Sequence, residues 1–490
     1  MVTTRNRGSI DKDEISLPEV NKVLIIPVPE VETVLGGANR DVKCLRVDKS
    51  NKEVKTFGRR WLQLLLFFFC GASNGIHCFQ FTVINNVARR YYGVSSLAIE
   101  WTTTIFMVAY VILLIPASGL MSRVGLRLTV LIGTMGTCLG ACIKVFASSR
   151  DGFAIAFAGQ CFLAVSLIFI LAVPGRLAAY WFGTNQIALA TTIGFFGLQA
   201  GYVTSGLATA MVVRNHERIE DIGNDYSKLF WAEAIICTIV AVMIFLFFQD
   251  EPRQPPSTAR ALAKITRESR TTESYLSVYK RVLSNKSFLI LWNSYGLLVG
   301  STVALATMLN PFYIVHFKDD AKGVGVLSSF SFVVQSIGSA VCGALLDRTK
   351  AFRVMSIVAS CTSIFGAILF AASFVMEIKW MLFASYILLG GPVIGYSTIG
   401  MDFCVEITYP EPEAITTGIL NMSTHLYGFL LVLITGRMLE AFGDVAGHGC
   451  LVLSLVVGTV LVILNKGELR RQKAGQSVTD NKTYTAVSQK

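Results

Sequence analysis

The sequence predicts an all-α integral membrane protein, with twelve transmembrane helices arranged as two six-helix halves. Twelve apolar stretches recur along the chain. Each holds about 20 residues, enough at a rise of roughly 1.5 Å per residue to cross a hydrocarbon core of about 30 Å. A basic segment opened by prolines divides them six and six. Composition agrees: 53% hydrophobic and 15% charged residues, with a mean hydropathy of +0.57 over 490 residues, exclude an ordinary soluble globular chain.

The first six spans are expected at Trp61 to Ile84, Trp101 to Met121, Leu128 to Ala147, Phe153 to Phe182, Ile187 to Val212 and Leu229 to Phe248. The second six are expected at Phe288 to Tyr313, Val324 to Leu346, Val354 to Val375, Trp380 to Met401, Thr417 to Ile434 and His448 to Leu464. Between the halves, Pro252, Pro255 and Pro256 open a segment crowded with Arg253, Arg260, Lys264, Arg267, Arg270, Lys280, Arg281 and Lys286, which reads as a solvated linker. The domain reading is therefore a disordered tail at 1–58, halves at 59–250 and 287–468, a linker at 251–286 and a second tail at 469–490.

Charge sets the expected topology. With a cytoplasmic N-terminus, Arg123 and Arg127, the linker, and Arg348, Lys350 and Arg353 all fall on the cytoplasmic face, where cationic loops belong. Arg59, Arg60, Arg470 and Arg471 flank the first and last spans on that face, so both tails are expected there. The net charge of +11 thus requires no nucleic acid. Residues 1–58 lack the pattern of a cleaved signal. Most of the eleven cysteines lie inside spans, without metal pairs or a disulfide framework, and act as small apolar residues. The Asn-x-Ser/Thr sites at Asn285, Asn421 and Asn481 fall in the linker, a span and a tail, where glycosylation would contradict this topology. The plasma membrane is the expected location, the monomer the expected state, and no cofactor or metal is expected.

Two six-span halves joined by a long loop match the major facilitator architecture. An internal repeat supports it. A basic turn follows the second span of each half: Gly119-Leu-Met-Ser-Arg123-Val-Gly125-Leu-Arg127 in one, Gly343-Ala-Leu-Leu-Asp347-Arg348-Thr-Lys350 in the other. Such turns bring small residues and cations to helix ends, where arginine meets terminal carbonyls and neighbouring carboxylates. The first copy carries Ser122 where the superfamily usually has an acidic residue. Arg123, Gly125, Arg127, Asp347 and Arg348, with Glu406 just past the tenth span, are the expected conformational contacts as the halves rock about a central site.

Several stretches resemble the feline leukaemia virus subgroup C receptor family of facilitator-type carriers: Arg59-Arg-Trp-Leu-Gln-Leu-Leu-Leu-Phe67, Tyr92-Gly-Val94, Gly125-Leu-Arg-Leu-Thr129, Gly159-Gln-Cys161, Phe169-Ile-Leu171, Trp181-Phe-Gly183 and Val405-Glu-Ile-Thr-Tyr-Pro-Glu411. The resemblance spans residues 59–471 in order. It implies a uniporter of choline and ethanolamine, with haem export also attributed to the family. It further implies a site in which an aromatic of span one and a tyrosine of span seven enclose the ammonium, while glutamines of spans five and eleven contact the rest. Those positions are Cys78, Val303, Gln199 and His425 here, so half of the site departs from the pattern.

Polar side chains inside spans usually face a cavity or a helix partner. Asn74, His77, Gln80, Gln160, Arg176, Gln199 and Glu233 in the first half, and Gln335, Asp402, Glu406, Asn421 and His425 in the second, are such residues. An interhelical hydrogen bond is the competing reading for each amide. The substrate path is expected between the halves, lined by Gln199, His425, Asn421 and the segment from Asn74 to Phe81. Losing two aromatic faces, each worth about 0.5 to 2 kcal/mol, would weaken choline binding by roughly one to three decades unless Phe79, Phe81, Phe106 or Tyr295 substitute. Selectivity is thus expected to shift from choline toward a primary amine. His425, with Glu406, Asp402 and Glu233, offers a proton-coupling alternative. For haem, His77, Cys78 and His425 are the available ligands, without a Cys-Pro motif. The string His216-Glu-Arg-Ile-Glu-Asp221 has acyltransferase spacing but reads as a charged loop, and a non-transporting receptor remains the other rival class.

Overall fold

The computed structural model describes residues 58–183, 186–252, 275–318, 320–349 and 351–470. The expected tails and the basic part of the linker from Arg253 to Arg270 lie outside them. Among the described residues every regular element is a helix. Among the described residues eleven helices are long and apolar enough to cross a membrane, and we number them with the expected spans. Spans one to four and six are Arg59–Cys78, Ser96–Met121, Arg123–Val145, Phe153–Trp181 and Ile219–Phe247. Spans seven to twelve are Lys286–His316, Lys322–Leu346, Phe352–Val375, Lys379–Thr408, Ile415–Phe442 and Asp444–Leu464. Span five is the 26-residue helix Ile187–Val212.

The pairing of helices repeats between the halves. Spans one and five cross so closely that a Cβ on Gly75 would stand 3.0 Å from the Gly201 Cα; spans seven and eleven do the same, a Cβ on Gly300 standing 2.9 Å from the Gly428 nitrogen. The halves then meet through two equivalent pairs. Span five packs on span eight around Gly206 and Gly325, and span two on span eleven, with Met107 against Gly428 and Trp101 5.8 Å from Phe429. Small residues permit these approaches, as they do where membrane helices associate without a hydrophobic drive.

Span one, expected unbroken from Trp61 to Ile84, ends at Cys78. Phe79 leaves helical geometry (φ −106°, ψ 6°), and the chain resumes as the short helices Gln80–Val83 and Asn85–Tyr92. A break inside a bilayer strands carbonyls that water cannot reach. Two side chains take them: Gln160 Nε2 donates to the His77 carbonyl at 3.1 Å, and Thr103 Oγ1 to that of Cys78 at 2.8 Å. Span four is broken at Ala172 ahead of Pro174, whereas span ten runs continuously through Pro392.

At Gly125 the chain turns from span two into span three with φ 81° and ψ 179°, a region that favours glycine. Span three is capped from across the half. Asp250 Oδ1 accepts from the backbone N–H of Leu126 (2.8 Å) and of Arg127 (2.9 Å), and Arg127 Nη2 donates to the Phe245 carbonyl at 3.1 Å. The carboxylate missing at Ser122 is thus supplied by the end of span six.

The linker is not wholly solvated, as composition suggested. Tyr275–Leu283 is helical, with Val278, Tyr279 and Val282 buried on one face. Arg281 holds it in place with a two-pronged grip on Glu411, Nε to Oε1 at 2.7 Å and Nη2 to Oε2 at 3.0 Å. Asn285 then caps span seven by accepting from Ser287 N at 3.1 Å. Asp250→Ala should remove the cap of span three and lower stability by about 1 kcal/mol. A thermal midpoint in detergent equal to that of the wild type would refute the capping role.

Candidate functional site

A cavity of about 180 Å³ lies between the halves. The first half contributes Cys78, Phe79, Phe106, Gln199 and Tyr202; the second contributes Val303, Phe332, Gln335 and His425. No charged side chain lines it among the described residues.

The break in span one decides what this wall presents. In a continuous helix, Cys78 and Phe79 would point about 100° apart; with the helix interrupted between them, both line the cavity. Phe79 meets Tyr202 edge to face at 5.2 Å between ring centroids, and Phe332 stands 5.0 Å from Phe79 and 5.1 Å from Tyr202. Three rings thus form a triangle that bridges the halves. Tyr202 lies three residues after Gln199, on the same helical face. Gln335 donates to the buried Tyr386 hydroxyl at 2.9 Å, which leaves its oxygen for the cavity side.

Two polar atoms remain without a protein partner, one from each half: Gln199 Oε1 and His425 Nδ1. The His425 ring lies 4.2 Å from that of Tyr110, and Tyr110 in turn is hydrogen-bonded to Asn421. A buried polar group without a partner is costly. A cavity bounded by such atoms, aromatic faces and no carboxylate suits a small organic cation that also carries a hydrogen-bonding group.

Of the residues singled out in the sequence, the cavity gathers Gln199, His425, Cys78 and Val303. It does not gather the others. Phe81 is buried inside the first half beside Tyr92, Tyr226 and Phe230. Asn74 donates to Thr137 Oγ1 at 2.9 Å and to the Leu163 carbonyl at 3.2 Å. Tyr295 is buried, with its hydroxyl 2.8 Å from Ser397 Oγ and donating to Asn421 Oδ1 at 3.5 Å, both off the lining. Glu233 is not beside His425 but in a cluster with His77, Gln80 and Lys144, which also withdraws His77 from any ligand role in the cavity. Asp402 is exposed and Glu406 half-buried. Arg123 and Arg348 are exposed, while the Asp347 side chain lies outside what the structure describes. His216 sits in a loop, 2.8 Å from Asp225, with no nucleophile at hand.

Tyr202, Phe332 and Lys144 escaped sequence reasoning. A tyrosine three residues from Gln199 was a usable signal for the first. Lys144 was legible as the one cation well inside the third apolar stretch.

Besides the Tyr110–Asn421 bond, the described inter-half hydrogen bonds lie on the side of the cavity away from residues 59 and 470. Asn310 Nδ2 donates to the Val83 carbonyl at 2.7 Å and to Asn86 Oδ1 at 3.0 Å, and Ser329 Oγ to the Val203 carbonyl at 2.8 Å.

Residues 63–464 match the family model described as Major Facilitator Superfamily. The chain belongs to that superfamily. Over 424 residues it is 33% identical to the choline/ethanolamine transporter flvcr2b of Danio rerio, an alignment covering 86% of this chain and 87% of that one. It is 30% identical over 429 residues to the choline/ethanolamine transporter FLVCR2 of Homo sapiens, covering 88% and 81%. It is 31% identical over 414 residues to the choline/ethanolamine transporter FLVCR1 of Felis catus, covering 84% and 74%. Among solved structures, the fold matches an inward-facing bacterial homologue of the human lysosomal transporter Spinster (TM-score 0.62, 15% identity, 84% of this chain and 96% of that one). It also matches a D-xylose–proton symporter (TM-score 0.63, 10% identity, 82% and 96%). This facilitator is therefore a multi-pass membrane transporter, homologous to the choline/ethanolamine transporters.

Gln199 Oε1 has no partner to lose, so Gln199→Ala should leave the thermal midpoint within about 2 °C of wild type, an effect of a few tenths of a kcal/mol at most. It should reduce substrate affinity roughly tenfold, the cost of one hydrogen bond to a charged solute. Saturation uptake alongside a melting curve checks both, and unchanged uptake would remove Gln199 from the site.

Proposed function

We propose that this facilitator carries small organic amines of the choline and ethanolamine class through the cavity between its halves, as a uniporter. The observation that carries the reading is the lining itself: three rings in a triangle, unpartnered Gln199 Oε1 and His425 Nδ1, and no carboxylate among the described lining residues. A quaternary ammonium is held by aromatic faces, and the hydroxyl at its other end by an amide or an imidazole. A primary ammonium donates to the same two acceptors. The names of the relatives point to the same class.

Cys78 and Val303 remove the two aromatic positions that the family resemblance implies. Phe79, Tyr202 and Phe332 supply faces in their stead, so choline belongs among the substrates and the expected shift toward primary amines is offset. Haem export is the weaker reading, because His77 is engaged by Lys144 and Glu233 and the cavity of about 180 Å³ is small for a porphyrin. Transport alternates access. With both tails cytoplasmic, the Asn310 and Ser329 contacts seal the outer side, and their rupture opens it. We assign the protein to the plasma membrane, acting as a monomer.

Uptake of labelled choline, ethanolamine and haem by cells with and without the chain tests this. Saturable amine uptake, insensitive to a collapsed proton gradient, is expected; uptake of haem alone would overturn it. Replacing the rings in the pair Tyr202→Leu and Phe332→Leu should weaken choline competition about tenfold or more while sparing ethanolamine, since only the methylated cation depends on the faces. Equal losses for both amines would show that the rings merely shape the cavity.

A further inference from the structure

Lys144 is fully buried near the end of span three. Its ammonium donates to Gln80 Oε1, lies 3.0 Å from His77 Nδ1 and 3.6 Å from Glu233 Oε2, and sits 5.2 Å from the ring centroids of both Phe81 and Phe230. Gln80 Nε2 donates back to Glu233 Oε1 at 2.8 Å, and His77 Nδ1 is 3.3 Å from Glu233 Oε2. The ions are thus enclosed by spans one, three and six.

Packing alone does not call for such a cluster. Buried ion pairs stabilise no better than apolar residues of equal volume, and ionisable groups inside a membrane bundle are costly. The second half supplies the comparison within one molecule. The core between its spans seven, nine, ten and twelve is closed by apolar groups such as Leu305, Phe370, Leu389, Leu451 and Leu455 around the imidazole of His448, and among the described residues that half buries no Lys, Arg, Asp or Glu. Its span seven is also an uninterrupted helix, Lys286–His316. The half with the ions is the half whose leading span is broken, and the cluster grips both lips of that break, His77 before Phe79 and Gln80 and Phe81 after it.

We propose that Lys144 and Glu233 are positioning residues for transport. By binding His77 and Gln80 they hold the interruption of span one and so set how Cys78 and Phe79 face the cavity. This rests on that cavity being the substrate site.

The test neutralises both ions together, Lys144→Met with Glu233→Gln, so that neither charge is left alone. In the purified full chain, iodoacetamide alkylation of Cys78 is followed by mass spectrometry, with Cys44, which precedes every span in the sequence, as the internal reference, beside amine uptake in cells. The variant should stay monodisperse, raise KM about tenfold with maximal rate changed less than about twofold, and alter Cys78 alkylation at least about threefold with Cys44 unchanged. A folded variant with wild-type KM and wild-type Cys78 reactivity would show that the cluster only packs. Should the double variant fail to fold, Gln80→Leu keeps the ion pair and cuts its link to the break; it should change Cys78 alkylation and KM in the same directions, and no change in either overturns the proposal. If the wild type carries no amine, the functional reading fails, while alkylation of Cys78 still decides this one.

Discussion

The constraint on which the structure depends is that the hydrocarbon interior offers no water to a backbone polar group. Helices meet it by default, so the informative places are those where a helix stops. Three of these stops are closed by side chains. Thr103 and Gln160 take the carbonyls at the break in span one, Asp250 caps span three, and Asn285 caps span seven. Irregular backbone is permitted only where such partners exist, and span one pairs its irregularity with a cavity wall.

The same constraint explains how two similar halves do different work. Close crossings at Gly75–Gly201 and Gly300–Gly428 repeat one geometry in both. The first half departs from the repeat at Phe79 and fills the space behind the departure with polar and ionic groups; the second keeps its leading helix continuous and, among the described residues, buries no Lys, Arg, Asp or Glu. Contacts between halves are made by small residues, amides and rings, groups that separate at lower cost than a continuous hydrophobic seam.

Much of this was legible in the sequence, because span length, charge asymmetry and the repeated basic turn follow from bilayer thickness and topology, which act on every residue of a segment. The superfamily and the carrier class were legible in order-preserving motifs such as Val405 to Glu411. The site was legible only in part. Gln199, His425, Cys78 and Val303 came from positional correspondence and line the cavity, but Phe81 was assigned by helical spacing across the break, and Asn74, singled out as an in-span amide, is engaged by Thr137 and Leu163 instead. A local break moves every later residue to a new face, and the groups that grip it, Lys144 and Glu233, lie on two other spans. Tyr202 and Phe332 were hidden for the opposite reason: aromatics are common in apolar spans, and nothing in one strand of sequence says which three will meet.

The ring triangle has a kinetic consequence. Phe79 and Tyr202 belong to one half and Phe332 to the other, so this three-ring wall is continuous only while the halves stand together. On the proposed site, a cation held against it acts as an adhesive across the moving interface and stabilises the closed intermediate that every crossing must traverse. The loaded carrier therefore passes that point more readily than the empty one, and labelled solute should exchange against unlabelled solute faster than it flows into a compartment that holds none.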